Sequence, residues 1–487
     1  MNTATALSTI DWVPVAPFIA LSVLGFLIML IGLYFPRIYR ETLGTIALIG
    51  LAITFFLVLQ NWGEPRYAFS NTIVGDKFST VFNGLFVIGA ALTILLSLNS
   101  QENRYVLYAD YFTVIVFATA GMVLMSAGTH LLTIFLGLET LSIALYVLAG
   151  FRRENEFSLE SAFKYFLLGA FASGFLLYGI AFVYGATGSA EIQAVTQWIQ
   201  QNGLTGSWML PVGFLLLFIG LGFKLAIFPF HMWAPDVYQG APTPISAFMA
   251  TGSKAAAFAA LLRIAVGTQS YAALGWEQVL WIIAVASMTV GNIIALRQDN
   301  IKRMLAYSSI AHAGYILVGF IANNELGHSG MLFYLLSYTF MNIGAFGVIS
   351  YLSTADHEFV TLQDMRGLAY RRPFAAIAMA VFMFSLAGIP PTAGFISKFY
   401  IFSAAVKAGY VWLVILGVIN SMISLYYYLG VIVQMFMSAT DEKAPVPAAQ
   451  QPAVALALVV SIFAVLGLGI FPSRWLAVFM EMARSFI

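Results

Sequence analysis

The sequence predicts an all-α polytopic membrane protein with about 14 transmembrane helices. Of its 487 residues, 61% are hydrophobic and only 9% are charged, whereas a soluble domain averages about 25% charged residues. The mean hydropathy is +0.89, and apolar runs of roughly 20 residues, the length that crosses a bilayer, recur along the chain. The net charge of +1 says nothing about nucleic acid, and no basic tract in the sequence suggests a nucleic-acid partner.

Composition and motifs argue against several kinds of cofactor site. The chain has no cysteine, so it forms no disulfide, thiolate-held iron–sulfur cluster or cysteine-type zinc site. It also has no Walker loop, no glycine fingerprint after a predicted strand and no HExxH motif. We therefore expect no redox centre, nucleotide or metal in this chain. The opening segment MNTATALSTIDWVP lacks a basic region and a cleavage site, which predicts that the first apolar run is a retained span.

The apolar runs give the predicted spans. They are residues 14–35, 40–61, 77–99, 108–127, 129–151, 160–186, 208–233, 243–267, 276–296, 300–322, 328–353, 373–408 and 410–438, with a fourteenth after a linker at 441–452. Residues 187–207 are predicted to be a hydrophilic loop. The twelfth span would extend about 54 Å at 1.5 Å per residue, across a core of about 30 Å, so it cannot be straight. The motif GIPPTAG (Gly388–Gly394) is predicted to break it.

Basic residues in the loops predict the orientation, because cytoplasmic loops carry an excess of Lys and Arg. Twelve fall on one side and five on the other, which predicts that the first side is cytoplasmic and that both termini are outside. The twelve are Arg37, Arg40, Arg104, Arg152, Arg153, Arg297, Lys302, Arg303, Arg366, Arg371, Arg372 and Lys443. The five are Arg66, Lys77, Lys407, Arg474 and Arg484.

The stretch 220–255 carries the strongest functional signal. Lys224 lies in apolar sequence, Pro229 breaks the same span, and Lys254 lies in the next span. A charged residue at mid-bilayer costs about 2.5–3.5 kcal/mol on insertion scales, and a broken membrane helix is tolerated where protein or water satisfies its backbone. A buried lysine beside a broken helix is typical of an ion path. The combination recurs five spans later, where Lys398 follows GIPPTAG, and the odd offset predicts opposite membrane orientations, as in inverted repeats.

Glu139 is the only acid predicted to lie deep in a span. Burial favours the neutral forms of Glu and Lys, whereas approach of the two favours their charged forms. We therefore interpret a Glu139–Lys224 pair as a proton valve in preference to a structural ion pair. Lys254 is too deep to snorkel and is also interpreted as functional. Lys164 is left open between function and a helical ion pair with Glu160, and Arg263 is expected to snorkel.

Histidines and tyrosines are weaker candidates. Two interpretations of His231 and His312 stay open. They are proton relays, since histidine exchanges protons near neutrality, or they are packing residues. The other histidines are expected to be solvated at helix ends, and a group of polar residues near 420–428 is assigned to packing in preference to a wet path. The histidines are His130, His328 and His357, and the polar group is Asn420, Ser424, Tyr426, Tyr427 and Tyr428.

Three long motifs resemble the antiporter-like subunits of respiratory complex I, the proton-pumping NADH–quinone oxidoreductase. They are GLGFKLAIFPFHMWAPDVYQGAPTPISAFMATGSKAA, NIKRMLAYSSIAHAGY and SLAGIPPTAGFISKFY, and the similarity extends over about residues 108–438. The segment PDVYQGAP and the lysine at position 398 resemble the corresponding residues of subunit N. The chain ends soon after its fourteenth predicted span, which disfavours subunit L with its long lateral helix.

The resemblance implies 14 helices with two inverted five-helix repeats and broken helices 7 and 12. It predicts a three-helix segment at 1–107, a first repeat (helices 4–8) at 108–267, a second repeat (helices 9–13) at 276–438, and a linker with helix 14 at 439–487. By the same resemblance, seven residues match family positions for proton translocation: Glu139, Lys164, Lys224, His231, Lys254, His312 and Lys398.

The implied function is proton translocation by a membrane-arm subunit, driven by NADH oxidation and quinone reduction in other subunits. A changed Glu139–Lys224 pairing would send a proton through Lys254 and His312 to Lys398 and outside. NADH, FMN, iron–sulfur clusters and quinone are then expected in partner subunits, and the location is expected to be the bacterial inner membrane. The alternatives are a stand-alone or Mrp-type multisubunit cation/proton antiporter, and a structural arm subunit whose buried charges no longer function.

Overall fold

The computed structural model describes residues 11–35, 39–98, 108–268, 275–355, 357–439 and 451–486. Within these ranges helices dominate, which confirms the predicted all-α class. Three of the basic residues used to predict the orientation, Arg37, Arg104 and Lys443, lie outside the described residues, as does most of the predicted linker.

The described helices follow one another with short connections. They are α1 (Ala16–Tyr34), α2 (Arg40–Leu59), α3 (Lys77–Leu98), α4 (Tyr108–Ala127), α5 (Leu131–Ala149), α6 (Glu156–Thr187), α7 (Ile192–Asn202), α8 (Met209–Leu225), α9 (Ala234–Gly240), α10 (Thr243–Gly267), α11 (Glu277–Ala295), α12 (Ile301–Ala322), α13 (Glu325–Leu352), α14 (Pro373–Ala387), α15 (Ala393–Lys407), α16 (Val411–Met437), α17 (Pro452–Ile470) and α18 (Pro472–Phe486). A 3₁₀ turn at Leu204–Gly206 and a short helix at Leu368–Arg371 complete them. Strands β1 (Arg66–Ala68) and β2 (Ile73–Gly75) form an antiparallel hairpin, with Arg66 opposite Gly75.

Twelve helices of the described chain are long and apolar enough to cross a membrane. Two more apolar helices, α8 and α14, are shorter, with 17 and 15 residues. They are the first halves of the two broken helices. Fourteen crossings therefore require that α8 with α9, and α14 with α15, each complete one span. That count, the two repeats and the domain boundaries stay predictions.

Both predicted helix breaks are present. Helix α8 ends before Pro229, because Ala226 takes a left-handed conformation with φ of 53° and the N–H of Ile227 turns back to the carbonyl of Gly222. Helix α14 ends at Gly388, whose φ of 86° favours a residue without a side chain. The two prolines that follow offer no backbone N–H to continue the helix. Each break leaves backbone carbonyls at a helix end inside the protein.

Besides the short helices at Ala234–Gly240 and Leu368–Arg371, two longer helices were not predicted. The predicted hydrophilic loop at 187–207 contains α7, which buries Ile192, Val195 and Ile199 on one face. Helix α18 follows the last span and buries Leu476 and Phe479. A search for runs of about 20 apolar residues misses both helices. They are short, and an amphipathic helix has only one apolar stripe to bury.

Helices α10, α12 and α13 lie in the centre of the bundle. Nearly every side chain on them is buried, whereas α1, α6 and α16 expose large apolar side chains such as Phe171 and Met422. Small residues bring the helices close together, as where a Cβ on Gly121 would lie 2.6 Å from the carbonyl oxygen of Gly137. Polar residues on the three central helices therefore face protein and not lipid.

The expectation that Arg263 snorkels is wrong. Its guanidinium is buried and donates to both carboxylate oxygens of Asp76, at 2.7 and 3.2 Å, and to the carbonyl of Ser126 at 2.7 Å. It also lies over the ring of Phe78, 4.4 Å from the centroid. Burial raises the pKa of Asp76, but the charge and hydrogen bonds of Arg263 outweigh it and hold that pKa below its usual value. The pair fastens α10 to the start of α3 and to the end of α4.

Replacing Arg263 with Met should destabilise the protein strongly, because the carboxylate of Asp76 is left buried without its cation. Breaking a buried pair typically costs about 3–5 kcal/mol. Thermal unfolding in detergent should show a clear loss for the single variant and a smaller one for the double variant R263M/D76N. The low folded-state pKa of Asp76 means that the pair contributes fully at neutral pH and is lost as the pH falls through that value. Equal unfolding temperatures for the single and double variants would contradict this account.

Candidate functional site

Three buried lysines define the candidate site. The exposed fractions of Lys224, Lys254 and Lys398 are 3%, 1% and 6%. Each lies at an irregularity of its helix: Lys224 is next to the last residue of α8, Lys254 follows a π-helical turn at Met249–Ser253, and Lys398 lies just after the break between α14 and α15. Among the described residues, no carboxylate lies within ion-pair distance of any of the three ammonium groups.

Aromatic rings surround the ammonium group of Lys224. Its Nζ donates to the hydroxyl of Tyr165 at 3.2 Å and lies 4.7 Å from the centroid of that ring and 5.2 Å from that of Tyr146. Trp233, from the segment after the break, stacks on Tyr165 at 4.4 Å and 8°. A ring face attracts a desolvated cation by up to about 2 kcal/mol. The hydroxyl of Tyr165 also hydrogen-bonds Ser253, the residue before Lys254, so the cage leads towards the second lysine.

Glu139 does not contact Lys224. Its carboxylate is half-buried at the edge of the bundle and accepts a hydrogen bond from Ser173. It is nevertheless near enough to attract the ammonium group of Lys224 through space. The structure thus holds the separated arrangement of these two residues, and their direct pairing stays a prediction.

Lys254 is held by a single residue of α12. Its Nζ donates to the carbonyl oxygen of Ser309 at 2.5 Å and to its hydroxyl at 2.6 Å. The hydroxyl of Tyr238 hydrogen-bonds the same serine, and the ring centroid of Tyr338 lies 6.0 Å from the ammonium group. Because hydroxyl groups both donate and accept, this cluster can pass a proton in either direction.

His312 is the centre of a short chain of hydrogen bonds. Its Nδ1 bonds the hydroxyl of Tyr334 at 2.6 Å, and its Nε2 bonds the hydroxyl of Tyr428 at 3.1 Å. The hydroxyl of Tyr428 also contacts that of Ser308 at 2.5 Å. Since Ser308 and Ser309 are adjacent, the chain begins beside the residue that holds Lys254. A buried imidazole with hydroxyls on both nitrogens has the geometry of a relay.

Lys398 is held by the end of the broken helix. Its Nζ donates to the carbonyls of Leu386 and Ala387, at 3.2 and 3.1 Å, and to the hydroxyl of Ser421 at 2.8 Å. It also lies 5.0 Å from the ring centroid of Tyr315. A helix C-terminus carries about half a negative charge, so the carbonyls of α14 stabilise the ammonium group without a carboxylate.

The comparisons with known proteins agree with this architecture. Residues 128–424 match the family model described as NADH:quinone oxidoreductase/Mrp antiporter, TM. The NADH-quinone oxidoreductase subunit N of Trichlorobacter lovleyi is 50% identical over 473 residues, which cover 97% of this chain and 97% of that protein. The chain belongs to the subunit N family of NADH-quinone oxidoreductases.

Solved structures extend the likeness. A chain of respiratory complex I from Thermus thermophilus with bound aureothin is 38% identical, with a TM-score of 0.79 over 95% of this chain and 98% of that chain. A chain of the Mrp complex from Dietzia sp. DQ12-45-1b is 20% identical, with a TM-score of 0.80 over 97% of this chain and 96% of that chain. The second likeness shows the fold alone. These comparisons confirm the resemblance that the sequence indicated for this member of the subunit N family.

Two of the seven predicted residues, His231 and Lys164, take no part in the contacts described above. The ring of His231 is buried and stacks on Phe228, and its Nδ1 has no hydrogen-bond partner among the described residues of this subunit N chain. Lys164 is 40% exposed and forms ion pairs with Glu160 at 2.6 Å and with Asp236 at 2.7 Å. The helical pair expected for Lys164 is therefore present, inside a larger ionic cluster.

The expectation of solvated histidines holds only in part. His328 is buried, and neither ring nitrogen has a partner in the described chain, so that prediction is wrong for it. His130 caps α5 by accepting the N–H of Leu132, and His357 bonds Asp364 at 3.0 Å. Both of these are partly exposed at helix ends.

Sequence reasoning missed most of the groups that hold the lysines. Tyr427 and Tyr428, assigned to packing, are buried and hydrogen-bonded, with Tyr427 donating to Asn292 at 2.9 Å. Tyr426 is 74% exposed and faces away. The spacing of Ser308, Ser309 and His312 on one helix was visible in the sequence, but their partners on α10, α13 and α16 were not. In the described ranges, no group of three or more His, Asp or Glu could hold a metal ion.

Proposed function

We propose that this chain translocates protons as a membrane-arm subunit of a NADH–quinone oxidoreductase. The path is the axis of Glu139, Lys224, Lys254, His312 and Lys398. Electrons would move in other subunits, which would hold the NADH, FMN, iron–sulfur clusters and quinone, and those subunits would be its partners in the bacterial inner membrane. The membership of the subunit N family supports this assignment.

The observation that carries the proposal is how the three central lysines are held. Hydroxyls, carbonyls and ring faces surround them, and within the described part of the chain no carboxylate that would fix the positive charge is among their contacts. Burial disfavours a charged amine, and a nearby acid would reverse that effect. These lysines can therefore lose and regain a proton at modest cost. A lysine locked to a carboxylate, as Lys164 is, lacks that freedom.

The hydrogen bonds supply most steps of a route. A proton on Lys224 passes through Tyr165 and Ser253 towards Lys254, whose own partner is Ser309. From the adjacent serine, the chain of hydroxyls reaches His312, and Lys254 and Lys398 both act electrostatically on that imidazole. In each step one proton leaves a donor atom and binds the next acceptor atom. No covalent bond other than these N–H and O–H bonds forms or breaks.

Glu139 is suited to start the cycle. It lies at the edge of the bundle, where a neighbouring subunit can reach it, and its charge acts on Lys224 from outside the aromatic cage. Moving the carboxylate closer would favour the ammonium form, and moving it away would release the proton. Electron transfer in a partner would need to change only this one separation.

Replacing Lys224 with Met should abolish most proton pumping, because the axis loses its titratable group between Glu139 and Lys254. Losing a positioned proton carrier typically costs a factor of about 10² or more. NADH-driven acidification of inverted membrane vesicles measures the effect, and Lys407→Met, an exposed lysine at the end of α15, is the matched control. Normal pumping by assembled K224M complex would favour the structural arm subunit with non-functional charges.

Replacing Tyr428 with Phe should slow pumping, because the hydroxyl that joins Ser308 to His312 is lost while the ring is kept. We expect a fall of about tenfold, the effect of roughly 1.4 kcal/mol on a rate. Tyr426→Phe is a close control, since it makes the same change two residues away on the exposed face of α16. Equal pumping rates in the two variants would remove Tyr428 from the route.

An Mrp-type cation/proton antiporter is the second candidate, favoured by the likeness in fold to a chain of an Mrp complex. Isolation in mild detergent separates the two functions. We expect the chain to comigrate with NADH dehydrogenase activity. Comigration only with other membrane subunits, together with Na⁺/H⁺ exchange that needs no NADH, would favour the antiporter.

A further inference from the structure

The hydroxyl group of Tyr146 is buried and has no hydrogen-bond partner among the described residues. Tyr146 lies on α5, and its ring belongs to the aromatic cage, with the centroid 5.2 Å from the Nζ of Lys224. Ser142, one turn earlier on α5, donates its own hydroxyl to the carbonyl of Leu138 at 2.5 Å. A buried hydroxyl without a partner costs free energy that a phenylalanine at the same place would not. This arrangement of the molecule thus leaves a hydrogen-bond donor unused beside the lysine.

The backbone of α6 fixes where this hydroxyl lies. A Cβ at residue 169 would overlap the hydroxyl oxygen, so Gly169 gives the side chain of Tyr146 its room. Side chains on a helix lean towards its N-terminus. The ring of Tyr146 therefore leans towards Glu139, which lies seven residues and about two turns earlier on the same face of α5. The charge of Glu139 also acts on Tyr146 through space.

Three residues of α6 place the hydroxyl between the acid and the lysine. Tyr165, Gly169 and Ser173 are spaced four residues apart, so they lie on one face of α6, about 6 Å from one to the next. Tyr165 holds Lys224, and Ser173 donates to the carboxylate of Glu139. The glycine under the tyrosine hydroxyl is the middle one of the three. A carboxylate that moves from the serine towards the lysine therefore meets this hydroxyl after about one helical turn.

Glu139 is the acid that can reach this position. Helix α5 contains no other acid, and the two acids of α6, Glu156 and Glu160, are exposed at its start. Glu160 precedes Gly169 by nine residues, or about 13.5 Å along the helix. The side chain of Glu139 is only half-buried, and a glutamate can change rotamer while its backbone stays in place. The unused donor and the movable acceptor thus lie on the same side of the cage.

We propose that Tyr146 is a positioning residue, whose hydroxyl receives the carboxylate of Glu139 when that carboxylate leaves Ser173 and approaches Lys224. The carboxylate exchanges one hydroxyl donor for another and arrives one turn closer to the ammonium group. Hydrogen bonds to an ionised group are stronger than those between neutral groups, so each hydroxyl stabilises one arrangement against the other. This inference rests on the proposed function, since the two arrangements matter only where the pair controls a proton.

A packing role for Tyr146 predicts a different result. As packing alone, the ring would fill space beside Lys224, and phenylalanine would fill the same space. Loss of a hydroxyl without a partner would then leave both pumping and stability unchanged, or raise the stability. As a positioning residue, Tyr146→Phe keeps the stability but leaves Glu139 bound to Ser173. Pumping and stability therefore respond differently under the two roles.

The test uses the complete complex in inverted membrane vesicles, with Y146F, S173A, the double variant Y146F/S173A and, as a control, Y178F, which alters an exposed tyrosine of α6. We expect NADH-driven pumping through this subunit to fall about tenfold in Y146F, with no loss in unfolding temperature. Removing Ser173 as well frees the carboxylate, so the double variant should pump within about threefold of the unsubstituted complex, a non-additive result. Y178F should pump normally.

Normal pumping by assembled Y146F would overturn the positioning role and leave packing. A double variant that pumps no better than Y146F would also overturn it, because Ser173 then does not compete for the carboxylate. Native gels with NADH dehydrogenase staining establish assembly. S173A alone should also slow pumping, since the carboxylate then stays at Tyr146. If the Y146F complex does not assemble, normal pumping by S173A overturns the proposal.

K224M, measured in the same vesicles, separates this proposal from the proposed function. If K224M loses pumping while Y146F keeps it, the axis stands and only the positioning residue is wrong. If K224M also pumps normally, the proposed function fails, and the positioning role of Tyr146 fails with it.

Discussion

The structure depends on keeping ammonium groups in a low-dielectric interior without pairing them to carboxylates. An isolated buried charge is costly, so each lysine needs partial negative charge from neutral atoms. Regular helices have few spare acceptors, because their carbonyls are already bonded along the helix. The end of α14 supplies them for Lys398. Lys224 instead meets the hydroxyl and ring of Tyr165, on which Trp233 from the segment after α8 stacks, and Lys254 meets Ser309. The break in α14 therefore supplies acceptors directly, whereas the break after α8 acts through an aromatic ring.

Charged pairs at the bundle's ends follow a different rule. Arg263 binds Asp76, Arg152 binds Glu358, and Lys164 shares Asp236 with Arg303. In each, a cation meets an acid directly, so the charges are permanent and the helices are held together. In the centre the cations meet hydroxyls and carbonyls, which is the arrangement that a change of protonation requires under the proposed function. The same residue types thus have two kinds of surroundings, and a directly bonded acid is what separates the fasteners from the proposed carriers.

The sequence predicted the helices and their breaks well because both signals are local. Hydropathy locates a span, and proline locates a break to within a few residues. It failed where the decisive contact joins distant segments. Arg263 was assigned to the interface from its distance to a helix end, but Asp76 lies 187 positions earlier in the chain. Lys302 was counted as a loop cation because it starts a helix, yet α9 and residue 358 cover it. Glu139 shows a third limit: it lies near the middle of its helix, as the sequence predicted, but its half-buried place at the edge of the bundle was not visible in the sequence.

Helix α12 joins the surroundings of two buried lysines, since Ser309, Ser308 and His312 all lie on it. The positive charges of Lys254 and Lys398 both act on the imidazole of His312. Under the proposed function, a proton on either lysine would therefore disfavour a proton on the histidine, because like charges repel more strongly in a low-dielectric interior. His312 would then receive a proton readily only when Lys398 has released its own. Repulsion between the proposed carriers would make each transfer depend on the release that precedes it, without a moving gate.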